Sequence, residues 1–281
     1  MDAPGSHHHA QPFRSRGELM MTETERARFA ISGPGQGSLI INADDWGRDE
    51  YTTSRILCCV RAGTVTSVSA MVFMDDSERG AAAARASNVD AGLHINLTTP
   101  FTAPSCPTGL RDRQSRIAGR LRAHRWARTL FHPTLAAAFD YVVKAQLDEF
   151  QRLYGSVPVR LDGHHHMHLC TNVLVQGLLP TGTRVRRNLS FAPGEKSVAN
   201  RAYRRCIDAL LERRHRLTDY LFTLDALRAS NRVEWAMRLA RVHLVEIETH
   251  PAVSAECTFL ASQPVRECLG QAPLVSFAEV R

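Results

Sequence analysis

Four groups of residues in this sequence carry side chains that are suited to metal-assisted hydrolysis. They are Asp44-Asp45, His94, the segment Asp162-Gly163-His164-His165-His166-Met167-His168, and His250. Carboxylates and neutral imidazoles are common ligands of catalytic divalent cations, and a bound cation can activate water. One carboxylate with two imidazoles leaves coordination positions open, while a spare Asp and a spare His can serve as general base and general acid. Hydrolysis is the chemistry that these residue types favour.

Taken singly, three of these groups have a simpler structural explanation. Asp44-Asp45 could form a solvated turn or a helix cap. His94 lies in an apolar run, where a histidine is usually satisfied within the core, and His250 could lie in a surface loop. The case for a metal site therefore depends on the groups occurring together.

The segment 162–168 is the most specific group, because four of its last five residues are histidines. In an extended segment alternate side chains face opposite sides, which predicts that His164, His166 and His168 point one way and His165 the other. Not all four can then bind one ion. Those that do not bind it could hold the ligands in place or touch substrate, and Asp162 could orient a histidine.

Short apolar runs place these groups at the carboxyl ends of predicted strands. The runs are 39–41, 91–97, 159–161 and 244–248. Carboxyl ends of parallel strands share one edge of a sheet or barrel, where active sites form in α/β proteins. The four groups are therefore expected to meet at that edge.

The rest of the chain shows strands alternating with helices. Further strands are predicted over 65–73 and near 184–187, and the helices over 49–62, 81–86, 135–153, after 171, over 200–213 and over 233–241. Alternation of this kind favours an α/β fold with a largely parallel sheet. Residues 98–133, with four prolines and many arginines, are predicted to form a long excursion or lid after the third strand.

The charge is unevenly distributed. Lys and Arg total 35 and Asp and Glu total 28, a net charge of +7, with Arg-rich stretches at 111–128 and 184–216. No nucleic-acid motif accompanies them, so no nucleic-acid partner is expected and solvated arginines are the simpler explanation. An anionic substrate or a peripheral contact with membrane headgroups stays open for 184–216, although the apolar stripe there is mixed.

Composition also bounds location and domain organisation. The seven cysteines have no C-x-x-C spacing, which fits a reducing cytoplasm. No apolar run approaches the roughly 18 residues of a membrane span, and the first thirty residues lack a signal-peptide core. Residues 1–37, including His7–His9, are expected to be a flexible tail before a single domain over 38–281.

Five segments resemble the YdjC/ChbG/HpnK family of carbohydrate deacetylases. The segments are LIINADDWG (39–47), AGTVTSVSAMV (62–72), GLHINLT (92–98), RLDGHHHMHL (160–169) and VEIETHPA (245–252). The resemblance covers nearly the whole chain after the tail. It implies an irregular (β/α) barrel related to the polysaccharide deacetylases and removal of an N-acetyl group from an amino sugar.

The same resemblance assigns roles to residues. It implies one divalent metal ion, Mg²⁺ or Zn²⁺, held by Asp45, His94 and His164, with Asp44 as base and His250 as acid. Residues expected to contact substrate or support the ligands are Trp46, Asp162, His166, His168 and Arg186, the last one of three candidates with Arg184 and Arg187. Trp46 and Gly163 depart from the residues that are more usual in the family.

Two alternatives use the same residues differently. A phosphoesterase on a similar barrel could use the Asp and His ligands and hold phosphate with arginines, and a basic RNA- or membrane-binding protein could retain an inactive site. The intact set of Asp and His residues disfavours the second alternative. The sequence leaves open which N-acetylated sugar is used and whether the protein is a homo-oligomer.

Overall fold

The computed structural model describes residues 37–124, 126–191, 194–269 and 272–280. These residues belong to one compact unit. The predicted tail, with His7–His9, lies outside the described residues except for Gly37. Within the described residues, no helix is long and apolar enough to cross a membrane.

Seven parallel strands form one sheet. They are β1 (Ser38–Trp46), β2 (Ser67–Ala70), β3 (Asp90–Ile95), β4 (Arg160–Gly163), β5 (Arg184–Val185), β6 (Tyr220–Thr223) and β7 (Leu244–Thr249), in the order β5-β4-β3-β2-β1-β7-β6. The sheet curls into a half-barrel. Its edges approach each other, since Val185 N donates to Arg216 O at 2.9 Å and Ser190 N to Leu221 O at 2.8 Å.

Ten helices flank the sheet in the described part of the chain. They are α1 (Glu50–Arg61), α2 (Ser77–Ser87), α3 (Thr108–Arg122), α4 (Ala136–Tyr154), α5 (Thr171–Gln176), α6 (Val198–Glu212), α7 (Leu224–Ala229), α8 (Val233–Leu239), α9 (Ser254–Ala261) and α10 (Gln263–Leu269). Short 3₁₀ turns occur at Ala127–Thr129, Pro133–Leu135, His164–Leu169 and Phe277–Glu279. Helix α1 begins after Asp49, whose side chain caps it by accepting from Thr52 N at 2.7 Å.

The α/β fold with a parallel sheet is confirmed. The 98–133 excursion after the third strand contains helix α3, which buries Leu110, Ile117 and Leu121. Strand β6 was missed, since its four residues show no clear alternation of apolar and polar side chains.

The strand register places polar residues on one face of the sheet. Asn42 pairs with Ser67 and Glu248, and His94 pairs with Asp162. All five side chains are buried, so the inner face of the half-barrel is a polar core. The neighbouring strand positions carry apolar residues that pack under the helices, which separates an apolar outer layer from a polar interior.

Candidate active site

The end of β1 directs two adjacent carboxylates to different places. The register between β1 and β2 shifts between Ala43 and Trp46, and Asp45 has a left-handed backbone with φ 69°. This conformation is uncommon for a residue with a side chain, and it is held only where the surrounding structure enforces it. Asp44 consequently points to the polar core, and Asp45 turns towards His94 and His164.

Asp45, His94 and His164 form a candidate metal-binding group. Asp45 Oδ1 lies 2.9 Å from His164 Nδ1 and 3.4 Å from His94 Nε2. Asp45 Oδ1 and His94 Nε2 are buried, and neither has a hydrogen-bond partner within the described chain. The other oxygen, Oδ2, accepts from Arg48 Nη1 at 3.1 Å. Unpartnered ligand atoms that converge on one point fit a divalent cation, because an uncompensated buried polar group is otherwise costly.

His94 is held in orientation by Asp162. His94 Nδ1 lies 2.7 Å from Asp162 Oδ1, while Asp162 Oδ2 accepts from Ser69 Oγ at 2.5 Å and from Arg160 Nη1 at 3.0 Å. This is the carboxylate–histidine pairing that presents the remaining imidazole nitrogen to a metal. Burial lowers the pKa of His94, but the nearby carboxylates of Asp44 and Asp162 outweigh it and raise the pKa to about 10. A cation therefore has to displace a proton from His94 on binding.

Asp44 is bound by Arg186 through both carboxylate oxygens. Nη1 donates to Oδ2 at 2.6 Å and Nη2 to Oδ1 at 2.7 Å, while Asn42 Nδ2 donates to Oδ1 at 2.8 Å. Burial raises the pKa of Asp44, but Arg186 and His94 outweigh burial, so the pKa lies below its ordinary value. Asp44 is consequently ionised.

His250 faces the same space from the end of β7. Its Nε2 lies 4.0 Å from Asp44 Oδ2 and 3.9 Å from Glu248 Oε1, and its side chain is 37% exposed. The backbone N–H of His250 donates to Glu256 Oε2 at 2.7 Å, and Thr249 Oγ1 donates to the same oxygen at 2.6 Å. At 4.0 and 3.9 Å, Asp44 Oδ2 and Glu248 Oε1 are too far from His250 Nε2 for direct hydrogen bonds. Buried carboxylate acceptors and a partly exposed imidazole therefore flank one short gap.

The histidine segment does not have the extended geometry that we expected. It forms a 3₁₀ turn over His164–Leu169, with left-handed φ values of 55° at His165 and 56° at His166. The His164 and His165 rings pack against each other with their centroids 3.9 Å apart, so the predicted alternation of sides is wrong. The contacts of the four imidazoles are His164 with Asp45, His165 with Thr98 Oγ1 at 3.0 Å, His166 with Glu248 Oε2 at 3.4 Å and His168 Nε2 with the Arg186 carbonyl at 2.9 Å.

Trp46 and the three candidate arginines lie away from the open side of the site. The Trp46 indole is fully buried and donates to Gly80 O at 2.9 Å. Arg186 is buried among carboxylates, Arg187 pairs with Asp208 at 3.1 Å, and Arg184 donates to the Val280 carbonyl. Trp46 and Arg186 thus support the site from within and do not face a substrate.

Two other groups of Asp, Glu and His also lie close enough together to hold a cation. One contains Asp44, Glu248 and His250, and the other contains Asp44, His94 and Asp162. Both depend on Asp44, whose two oxygens are already occupied by the Arg186 guanidinium. The group built on Asp45 is the better fit, because its ligand atoms have no such competitor.

Several residues around the site were missed by the sequence reasoning. Glu246 Oε1 accepts from Arg186 Nε at 2.8 Å, and Glu248 contacts His166, His250 and Arg186. Burial, together with Asp44, raises the pKa of Glu248 to about 7. The available signal was the alternation along β7, which places positions 246 and 248 on the inner face with the site.

The fold and site together define a class, a parallel α/β half-barrel with a candidate Asp/His metal centre at the carboxyl ends of its strands. Residues 38–271 match the family model described as YdjC-like protein. The chain belongs to this family, which confirms the resemblance drawn from its motifs.

Named relatives share part of the chain. A carbohydrate deacetylase of Mus musculus is 30% identical over 177 residues, which are 59% of this chain and 53% of the mouse protein. A chitooligosaccharide deacetylase of Klebsiella pneumoniae subsp. pneumoniae is 28% identical over 136 residues, 48% of this chain and 52% of that protein. The chain thus spans about half the length of these curated relatives.

A solved structure shares the fold. It comes from Enterococcus faecalis V583 and is named as a candidate for cellobiose-phosphate cleavage. The TM-score is 0.59, and the match covers 86% of this chain and 97% of that one. At 18% sequence identity, this likeness concerns the fold alone.

Proposed function

We propose that this protein is a metal-dependent hydrolase that removes the N-acetyl group from an N-acetylated amino sugar and releases acetate. The observation that carries the proposal is the convergence of Asp45 Oδ1, His94 Nε2 and His164 Nδ1 beside the Asp44–His250 gap. The deacetylase names of the curated relatives support the same reaction. Asp45, His94 and His164 would hold one divalent cation, either Mg²⁺ or Zn²⁺.

When bound, a divalent cation lowers the pKa of a water molecule and polarises a carbonyl oxygen. Asp44 accepts the proton of the attacking water, because Arg186 keeps this carboxylate ionised and fixed in direction. His250 donates a proton to the sugar nitrogen as the C–N bond breaks, which its exposed position allows. Acetate and a free amine leave, and the proton taken by Asp44 balances the proton given by His250.

Asp162 and Glu256 act in this scheme as positioning residues. Asp162 holds His94 through Nδ1, and Glu256 fixes the backbone of His250. Neither needs to touch the substrate. The sugar would approach from the side where His250 and Arg48 are partly exposed.

The proposed compartment is the cytoplasm. Support comes from six cysteines that the structure describes as free thiols: Cys58, Cys59, Cys106, Cys170, Cys206 and Cys257. Unpaired cysteines in this number fit a reducing environment.

The test is acetate release from a panel of N-acetylated sugars and chitooligosaccharides. Protein stripped with a chelator is reloaded with Mg²⁺ or Zn²⁺, and metal stoichiometry is measured beside turnover. Asp44→Asn is expected to lower turnover roughly 100- to 10,000-fold while one cation still binds. The exposed Asp75→Asn serves as the matched control and should match the wild type.

A phosphate monoester is included in the same assay to test the phosphoesterase alternative. That alternative predicts phosphate release, two bound cations and no acetate. Full metal occupancy without acetate release from any sugar would contradict the proposed deacetylation.

A further inference from the structure

Helix α6 turns an apolar stripe away from the barrel. Of its 15 residues only Asp208 and Leu211 are buried. The stripe consists of residues at spacings of three and four, with two larger side chains beside it: Ala199, Ala202, Cys206 and Ala209, then Tyr203 and Leu210. Tyr203 and Leu210 are each 44% exposed, and Val198 at the helix start is 74% exposed. An amphipathic helix normally buries this side, so the arrangement calls for an external apolar partner.

The inward side of α6 is attached to the barrel by polar contacts. Asp208 Oδ1 accepts from the backbone N and from Nδ2 of Asn188, both at 2.9 Å, and Asp208 Oδ2 pairs with Arg187 at 3.1 Å. Arg204, also on this side, stacks over the Phe191 ring at 4.9 Å. These contacts hold α6 in the orientation that exposes its stripe.

Basic side chains border the stripe. The exposed cations over residues 194–216 are Lys196, Arg205, Arg213, Arg214 and Arg216, and the exposed acidic residues of the same range are Glu195 and Glu212. Two of the cations also contact the fold, since Lys196 lies 5.2 Å from the Phe191 ring and Arg214 donates to Thr181 Oγ1 at 2.9 Å. A two-fold contact between copies would place these like charges opposite each other, which is unfavourable. An anionic surface is attracted instead, by about 1 kcal/mol for each Lys or Arg at a membrane.

We propose that α6 is a peripheral docking helix that lies in the headgroup region of an anionic phospholipid bilayer. The stripe enters the boundary between headgroups and acyl chains, and the bordering arginines contact lipid phosphates. An apolar face with basic flanks is the arrangement that such interfacial helices use. The proposal goes beyond the deacetylase function and does not depend on it.

Helix α6 is connected to the polar core through the residues that follow β5. Asn188, which binds α6 through Asp208, lies two residues after Arg186 of the polar core. The helix and the end of β5 are therefore linked through three consecutive residues, 186–188. Membrane binding and hydrolysis nevertheless remain separable, because no stripe residue contacts the candidate metal group in the described structure.

The test is co-sedimentation with vesicles made of equal parts of phosphatidylglycerol and phosphatidylcholine, beside vesicles of phosphatidylcholine alone. The wild type is expected to pellet with the anionic vesicles and much less with the neutral ones. Leu210→Asp and Tyr203→Asp should each weaken binding about tenfold or more, since each replaces apolar surface that enters the bilayer.

Matched controls carry the same change on other surfaces. Val175→Asp on α5 and Tyr51→Asp on α1 replace side chains that are 66% and 58% exposed. Both should bind vesicles as the wild type does. Circular dichroism and thermal melting of all four variants show whether each one is folded.

Three results would overturn the proposal. The first is a wild type that fails to pellet with anionic vesicles. The second is binding that salt abolishes but that Leu210→Asp and Tyr203→Asp leave unchanged, which indicates charge attraction without insertion. The third is a dimer in solution that Leu210→Asp converts to a monomer, which indicates that a second copy covers the stripe.

Discussion

Arg186 binds both carboxylate oxygens of Asp44, at 2.6 and 2.7 Å, from the opposite side of the polar core. The same guanidinium lies 3.0 Å from Asp162 and 2.8 Å from Glu246. Glu248 Oε2 lies 3.4 Å from the guanidinium as well. One buried cation therefore contacts four buried carboxylates, which lie on three different strands. Neighbouring carboxylates raise the pKa of Arg186 well above its ordinary value, although burial opposes them, so its charge is permanent.

Removing this charge is expected to destabilise the protein strongly. Arg186→Gln should lower the free energy of unfolding by about 3–5 kcal/mol, because it leaves uncompensated charges in the interior. Arg152→Gln is the control, since Arg152 pairs with Glu149 and Glu78 at an exposed position and such pairs contribute about 0–1 kcal/mol. Urea denaturation measures both. Equal losses in the two variants would show that Arg186 does not compensate the core carboxylates.

Asp162→Asn is expected to weaken metal binding without removing a proposed ligand. The substitution removes the carboxylate that accepts from His94 Nδ1. Loss of such a partner typically lowers metal affinity 10–100-fold. Isothermal titration with Zn²⁺ measures the change, with Asp75→Asn as the control. Unchanged affinity in folded Asp162→Asn protein would be evidence against His94 as a ligand.

The raised pKa of Glu248 predicts that the stability difference between the wild type and Glu248→Gln depends on pH. Burial, with Asp44, raises the pKa of Glu248 from 4.5 to about 7, so the folded protein favours the protonated acid. The stability contributed by Glu248 is present below pH 4.5 and is lost as the pH rises through 7. Glu248→Gln stays neutral at every pH. Its free energy of unfolding should therefore equal that of the wild type at pH 4.5 and exceed it by about 3 kcal/mol at pH 8.

The measurement is urea denaturation of chelator-treated protein across that pH range. Glu212→Gln, at an exposed position on α6, corrects for the loss of one negative charge. A constant difference between Glu248→Gln and the wild type from pH 4.5 to 8 would contradict the raised pKa.

Gly163 is expected to tolerate no side chain. A Cβ there would lie 2.7 Å from the backbone N of His168 and 2.9 Å from its Nδ1. Gly163→Ala should therefore push apart the 3₁₀ turn and destabilise the protein by about 1–3 kcal/mol. At Gly119 in α3, nothing lies within 4 Å of an added Cβ. Gly119→Ala should therefore raise the free energy of unfolding by about 0.5–1 kcal/mol. Thermal melting of both variants compares the two positions, and a tolerated Gly163→Ala would refute the close approach.

The chemistry-bearing residues and their meeting place were predictable from the sequence. Apolar runs that end in polar groups signal parallel strands, and parallel strands place their carboxyl ends on one edge. The structure brings the predicted residues together at that edge: Asp44, Asp45, His94, His164 and His250. This expectation did not require knowledge of the strand order. Their roles as ligands, base and acid stay predictions.

Partners that are distant in the chain were decided only by the tertiary structure. Glu248 becomes a site residue, and Arg186 is the one of the three candidate arginines that reaches Asp44, because curling of the sheet brings β7 and the end of β5 around Asp44. The histidine segment is not extended because it contains two left-handed residues. Local pattern rules cannot foresee backbone strain that the surrounding fold maintains.

Helix α6 also shows which features the sequence determines and which the tertiary structure decides. The sequence over 184–216 shows only a mixed apolar stripe, which is compatible with burial against the barrel or with exposure. The polar contacts of Asp208 and Arg204 settle which side faces inward. The sequence by itself determined the alternation of strands and helices and the chemistry at the strand ends, since these depend on local spacing. Tertiary structure decided which charges compensate one another and which surface stays open, because both depend on residues brought together by folding.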